Sequence, residues 1–106
     1  MNASAWLGLI GLGRRAGSVI VGTAGVRAGL QRGEVVLVVI AADGTKRTDE
    51  KVGRLARAKA IPVLVGPDAA TLGKVVGSAT VQAVGLSDPR LADGVRAKYE
   101  ATVQEG

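Results

Sequence analysis

Neither cysteine nor histidine occurs in the 106 residues of this chain. Without thiols there can be no disulfide and no thiolate metal site. Without imidazole, the usual nucleophile–base pairs, zinc sites and histidine proton shuttles have no donor. A catalytic role would have to rest on Asp, Glu, Lys, Ser or Thr alone, so the sequence is read as that of a non-enzymatic protein, with no cofactor, no metal and no small-molecule substrate expected. Aromatic residues are limited to Trp6 and Tyr99, and neither lies near a basic cluster. Single-strand binding by stacking bases on an aromatic platform is therefore not expected. Long apolar runs are missing too. The opening stretch Ala3–Gly13 is about half of the roughly 20 residues that a membrane-spanning helix needs. It also lacks the basic start and small-residue cleavage pattern of a signal peptide. No membrane partner is expected, and the expected location is cytoplasmic.

What the chain does have is positive charge, unevenly placed. Fourteen Lys and Arg stand against nine Asp and Glu, a net +5. Residues 1–65 carry a net +6 and the remainder a net −1. A one-sided positive field attracts polyanions. The length predicts a single domain over 1–106. A domain of this size buries roughly 60–70% of the surface its unfolded chain exposes, and so folds without a covalent staple.

Apolar spacing divides the chain into short units. Ser4–Gly13 reads as an amphipathic helix, with Trp6, Leu7, Leu9, Ile10 and Leu12 supplying its buried side. Ser18–Val21 is a short β-branched run. Thr23–Arg32 has Val26 and Leu30 at helical spacing and stops at Gly33. Val35–Ala41 is unbroken apolar sequence, as in a strand covered on both faces. Lys46–Lys59 reads as a charged helix with Val52, Leu55 and Ala56 inward, and Ile61–Val65 as a second buried strand. Asp68 can cap a helix over Ala69–Val76. Ala79–Leu86 is the last strand, and Asp88-Pro89 opens a final helix through Tyr99, Asp at the cap and Pro at the first helical position being a start signal. Such alternation predicts a three-layer α/β/α sandwich with a four-stranded, mostly mixed sheet.

Several stretches offer groups to an anion. Gly11-Leu12-Gly13-Arg14-Arg15-Ala16-Gly17 superficially suggests a glycine-rich phosphate loop. The dinucleotide fingerprint needs a strand before it and a helix after it, and here the order is inverted. The stretch is read as a helix end that turns Arg14 and Arg15 outward, where they can touch an anion. Gly22-Thr23-Ala24-Gly25 sits where a strand turns into a helix, with Thr23 a candidate cap. It is either a tight turn that requires small residues or a helix start whose free N–H groups meet a phosphate or base edge. Gly25 and Gly29 each cost about 1 kcal/mol against alanine inside a helix, which implies close backbone approach to the sheet or to a ligand. Asp43-Gly44-Thr45-Lys46-Arg47-Thr48 follows the most buried strand, and open α/β sheets bind ligands beyond such strand ends. Asp43, Thr45 and Thr48 compete as caps for the next helix, while Lys46 and Arg47 have no such duty. Arg47, Lys51 and Arg54 make a stripe at i, i+4 and i+7, partly neutralised by Glu50. A solvated face is the common meaning of a charged stripe; this one begins at the Asp43 loop.

Taken in order, these marks resemble a family. They are Leu7-Gly8-Leu9 running to Arg14-Arg15-Ala16-Gly17, Val21-Gly22, Arg32-Gly33, Leu37-Val38-Val39-Ile40-Ala41-Ala42-Asp43, Ile61-Pro62-Val63, and Leu72-Gly73-Lys74 closing at Gly77. The chain is similar over about Leu7 to Val95 to the large-subunit ribosomal protein 7Ae/30e group, and within it to the small bacterial kink-turn-binding-like members. The resemblance implies an α/β/α sandwich that recognises kinked helices in ribosomal or other structured RNA. It implies contacts from Gly22 to Arg27 (Gly22, Thr23, Ala24, Gly25 and Arg27), from Asp43 to Arg47 (Asp43, Lys46 and Arg47), and from the loop of Val65, Gly66 and Pro67. The kink-turn binders carry an Asn-Glu pair and a Lys three residues after the Glu; Ala24, Gly25 and Ala28 stand there in this chain. Val36 stands where a basic residue is common early in the central strand.

Three functions follow for comparison. The first is a ribosome- or RNA-associated binding protein that uses backbone amides and arginines. The second is a protein-interaction or ribosome-assembly module on the same scaffold, without base-specific reading of RNA. The third is a fragment of an RNA ribose methyltransferase, whose substrate-binding half is similar; 106 residues leave no room for a catalytic half.

Overall fold

A computed structural model describes the backbone of residues 5–105 and the side chains of residues 5–102. Helix α1 covers Ala5–Arg15, strand β1 Val19–Val21, helix α2 Thr23–Gln31 and strand β2 Leu37–Ile40. A helical rod follows, α over Lys46–Thr48 (α3), widened to a π turn over Asp49–Gly53, and α again over Arg54–Ala58 (α4). Strand β3 (Val63–Val65), helix α5 (Ala69–Val76), strand β4 (Ala83–Leu86) and helix α6 (Pro89–Glu105) complete the chain. The predicted start of α1 at Ser4 lies outside the described residues.

The sheet runs β1-β4-β2-β3. β4 is antiparallel to both neighbours, with Val19 opposite Leu86 and Val38 opposite Gly85. β3 is parallel to β2, with Ile40 opposite Val65. Because strand side chains alternate, Leu37, Val39, Val84 and Leu86 enter the core beneath α1, α5 and α6. Val38 and Ala83 enter the core beneath α2 and the α3–α4 rod with Val26, Leu30, Val52 and Ala56. Helices therefore cover both faces, which is why β2 tolerates no polar residue. The expected three-layer sandwich with a mixed four-stranded sheet is the observed architecture.

Strands β2, β3 and β4 are shorter than the runs predicted for them, β3 beginning at Val63 and not at Ile61. Val36 and Ala41 still donate to Leu86 O and Gln82 O at 2.8 and 2.9 Å, but they flank the ladder. Residues 79–81 turn aside to pack on α5. The N–H of Val81 donates to Ala69 O at 3.0 Å, and a Cβ on Gly73 would lie 2.6 Å from Ala79 O. Helix α6 continues six residues past Tyr99 to Glu105. Tyr99 meets Trp6 edge to face, with centroids 5.1 Å apart and planes at 89°, fastening α6 to the start of α1.

Candidate functional site

One end of the sheet gathers most of the candidate residues. There β1, β2 and β3 finish and β4 begins, so Gly22, the Ala41–Thr45 loop, the Gly66–Asp68 loop and Gln82 are neighbours by register. Main-chain bonds tie them together. Gly22 N–H donates to Ala83 O at 2.9 Å, Gly66 N–H to Ile40 O at 2.8 Å, and Ala42 N–H to Pro67 O at 2.9 Å. Val65 leaves this end 60% exposed.

Gly22 is the N-cap of α2, with φ 99° and ψ 150°, a conformation that favours glycine strongly. Its residue contributes no side-chain cap. Thr23 is thus the first helical residue and not the cap considered from the sequence. The first bond into the helix is Val26 N–H to Gly22 O, 3.0 Å. Among the described residues, the N–H groups of Thr23, Ala24 and Gly25 have no acceptor, as expected for an uncapped helix start. Gly25 and Gly29 have a structural reason: a Cβ would come within 3.0 Å of Ile20 at Gly25, and within 2.8 Å of Val35 at Gly29. The close approach is to the sheet side of the helix.

The Asp43 loop divides the capping duties that its sequence left open. Thr45 caps α3, accepting from Thr48 N–H at 3.2 Å, and Thr48 is buried. Asp43 reaches across the sheet end instead, its Oδ1 accepting from Ala69 N–H at 2.8 Å. It secures the start of α5, where Asp68 also accepts from Thr71 N–H at 2.7 Å. That backbone bond holds the Asp68 carboxyl below its ordinary value, with Lys74 nearby acting in the same direction.

Where α2 begins, it faces the rod across a cleft of about 190 Å³ lined by Thr23, Thr45, Arg47, Thr48 and Lys51. The π turn shapes one wall. Arg54 N–H bonds Asp49 O five residues back, adding one residue to the turn and breaking the i, i+4, i+7 phase. Arg47 and Lys51 stay on the cleft; Arg54 does not line it. Arg27 leans over from α2, its Nη1 donating to Lys51 O at 2.6 Å. Arg57 is paired with both Asp49 oxygens at 2.9 and 3.1 Å. Among the described residues Lys46, Arg47, Lys51 and Arg54 have no acidic partner within ion-pair distance.

Arg14 and Arg15 are elsewhere. They end α1 and precede Val19, the first residue of β1, whereas Gly22 follows its last. They therefore lie at the opposite end of the sheet, and the structure does not join them to the cleft. Gln82 was overlooked. Its Oε1 is enclosed and without a partner among the described residues, and it lies 3.4 Å from where a Cβ on Gly44 would be. Inside a run that reads as the last strand, Ala79–Leu86, a single glutamine carries no signal of its own. Among the described residues no helix is long and apolar enough to cross a membrane, and no acidic cluster is arranged to hold a metal.

Comparison with known proteins supplies relatives. The profile of the ribosomal protein L7Ae/L30e/S12e/Gadd45 family matches residues 4–93. A solved structure of a protein with unknown function from Bacillus halodurans is similar at TM-score 0.86 and 28% identity, over 92% of this chain and 98% of that one. The Giardia lamblia 15.5kD RNA binding protein is similar at TM-score 0.76 and 19% identity, over 98% of this chain and 90% of that one. No curated protein matches.

Proposed function

This chain belongs to the ribosomal protein L7Ae/L30e/S12e/Gadd45 family, and from that premise we propose that it is a non-enzymatic protein that binds structured RNA, ribosomal or other, at the sheet end where α2 begins. The observation that carries the reading is the cleft: Thr23, at the uncapped start of α2, lines it together with Arg47 and Lys51, cations without acidic partners among the described residues. Amides at a helix start and guanidinium groups are the groups that hold phosphate. In this reading Gly22, Thr23, Ala24 and Gly25 present main chain to the RNA, and Lys46, Arg47 and Lys51 neutralise phosphates. Asp43 holds the floor, and exposed Val65 with Gly66 and Pro67 gives an apolar edge against an unstacked base. The Giardia RNA-binding protein shares the fold, and RNA as partner comes to this chain as part of the proposal. A kinked duplex suits small residues and amides better than an extended strand does, and a ribosomal or other cytoplasmic RNA fits the family. Arg14 and Arg15, at the other end, would meet only RNA that continues along the molecule.

The test is a titration of a kink-turn RNA and a straight duplex of equal length, each at several salt concentrations. Binding of the kinked RNA should be tighter, and affinity should fall steeply with salt because released counterions drive it. Equal, weak binding of both would remove the kink from the reading.

A second reading has its own observation. Ala24, exposed on the first turn of α2, offers no polar side chain, and Gly25 is turned to the sheet at Ile20, so base edges have little to meet at this helix start. A protein-interaction or assembly module on this scaffold would show weak, sequence-blind RNA binding and saturable binding of a protein partner.

A further inference from the structure

The sheet face away from α2 carries a groove between α1 and α5, lined by Leu7, Gly8, Gly11, Leu12, Thr71 and Val75 with Arg15 at one end. Two of its features have no explanation among the described residues of one copy. Leu12, large and apolar, is 59% exposed. Gly8 lies in the interior of α1, where glycine weakens a helix relative to alanine. Yet a Cβ there would meet nothing within 4 Å among the described residues, and its φ is not positive. The other glycines on these two helices are accounted for: Gly11 abuts Val75 O at 3.3 Å, Gly13 would collide with Leu91, and Gly73 abuts Ala79 O at 2.6 Å. Only Gly8 leaves a notch open to solvent.

The groove is also polar end to end. α1 and α5 run in the same direction, since Gly11 lies against Val75 and Leu7 shares the groove with Thr71 one turn earlier. Asp68, the exposed cap of α5, stands one turn before Thr71, and Arg15 stands one turn after Gly11. One end of the groove therefore carries the Asp68 carboxylate, with Lys74 nearby, and the other the Arg15 guanidinium.

We infer that a second copy of this chain covers the groove in an antiparallel, two-fold arrangement, Leu12 of each copy entering the notch at Gly8 of the other while Arg15 of each meets the Asp68 end of the other. A two-fold contact requires one patch to be complementary to itself. This patch carries projection and notch one turn apart on the same helix, and opposite charges at its two ends. The antiparallel sense keeps the two Arg15 side chains at opposite ends. A helix of 11 residues is about 16 Å long, so the contact falls below the roughly 800 Å² per partner of a standard interface. The pairing is accordingly weak and concentration-dependent. It covers the face opposite the α2 cleft and does not depend on the RNA reading.

Sedimentation velocity of the full chain, from low micromolar to near-millimolar concentration and without RNA, tests it. The wild type should move reversibly from monomer towards dimer. Leu12→Glu, and Gly8→Leu, which fills the notch, should each weaken association by at least about tenfold. Both change open surface, and Gly8→Leu favours the helix, so circular dichroism and melting should show folded proteins. Asp68→Asn keeps a capping side chain and removes its charge; it and Arg15→Glu should each weaken the dimer. A wild type that stays monomeric throughout overturns the inference. So does a dimer that Leu12→Glu and Gly8→Leu leave intact, which would put the interface on another face.

Discussion

The guanidinium of Arg27, on α2, donates to the main-chain carbonyl of Lys51, in the π turn, at 2.6 Å. The bond joins the two walls of the cleft. It also occupies part of a side chain that composition alone would assign to phosphate. Guanidinium has further donors to offer, but the one at Nη1 positions Lys51 and the widened turn. A cation that braces a site and one that neutralises a phosphate leave different signatures when removed.

Those signatures separate in a salt titration. Arg47→Gln and Lys51→Gln should each weaken RNA binding and lower the slope of log affinity against log salt by about 0.7–0.9, one released counterion apiece. Arg27→Gln should weaken binding with a smaller change in slope. It should also destabilise the fold by about 0.5–1.5 kcal/mol, the worth of one intramolecular hydrogen bond. An Arg27→Gln protein of unchanged stability that loses a full unit of slope would make Arg27 a phosphate ligand after all.

Position along the sheet decides the next comparison. Arg47→Glu should lower RNA affinity at least about tenfold, while Arg15→Glu, beyond the other end of β1, should cost far less for a short RNA. Both positions are exposed, so stability should stay within about 0.5 kcal/mol of wild type. Matching losses for the two variants would mean that the bound RNA spans the whole molecule.

How far these features were legible depends on whether their causes are local. Val35–Ala41 declared a doubly covered strand because both faces of β2 are packed. Asp68 and Asp88 declared caps because a cap bonds two or three residues on, to Thr71 and Arg90 at 2.7 and 2.9 Å. Asp43 looked like a cap for the helix beside it; its partner, Ala69, is 26 residues away, beyond the reach of any local rule. The π turn was invisible because helical spacing presumes one residue fewer per turn. The separation of Arg15 from Gly22 was implicit in chain direction, one preceding β1 and the other following it, but only the sheet register made it spatial. Gln82 went unseen because its run leaves the ladder, residues 79–81 turning aside to pack on α5.

Asp43, on the loop after β2, and Ala69, at the start of α5, are joined by one hydrogen bond, whose loss should loosen this end of the sheet. Asp43→Ala should cost about 1 kcal/mol, as loss of a capping acceptor does, and should raise amide exchange at Ala69. Asp43→Asn retains an acceptor oxygen and should recover most of that loss. If Asp43→Ala melts at the wild-type temperature, the loop and the helix start are not held by this bond.

Gly22 should tolerate no side chain. At φ 99° and ψ 150° an alanine is strained by about 1–3 kcal/mol, although a Cβ there would meet nothing within 4 Å. The penalty lies in the local backbone and not in a clash with a neighbour, so a more polar side chain cannot relieve it. Urea denaturation should show Gly22→Ala losing midpoint without a change in slope. A midpoint equal to wild type would show that the chain passes from β1 to α2 along another path.

Asp68 should make stability sensitive to acid in one direction only. Its carboxyl is held below the ordinary value chiefly by the bond from Thr71 N–H, so folding favours the ionised form. The resulting stability is fully present above the unfolded-state pKa of about 3.9. It is lost as pH falls through the lower value of the folded state. Asp68→Asn caps without titrating. The stability difference between wild type and Asp68→Asn should therefore be constant from neutral pH down to about 5 and shift against the wild type below about 4. Melting curves of the two proteins across that range measure it, and parallel curves down to the most acidic conditions would show that Thr71 N–H does not favour the charged form.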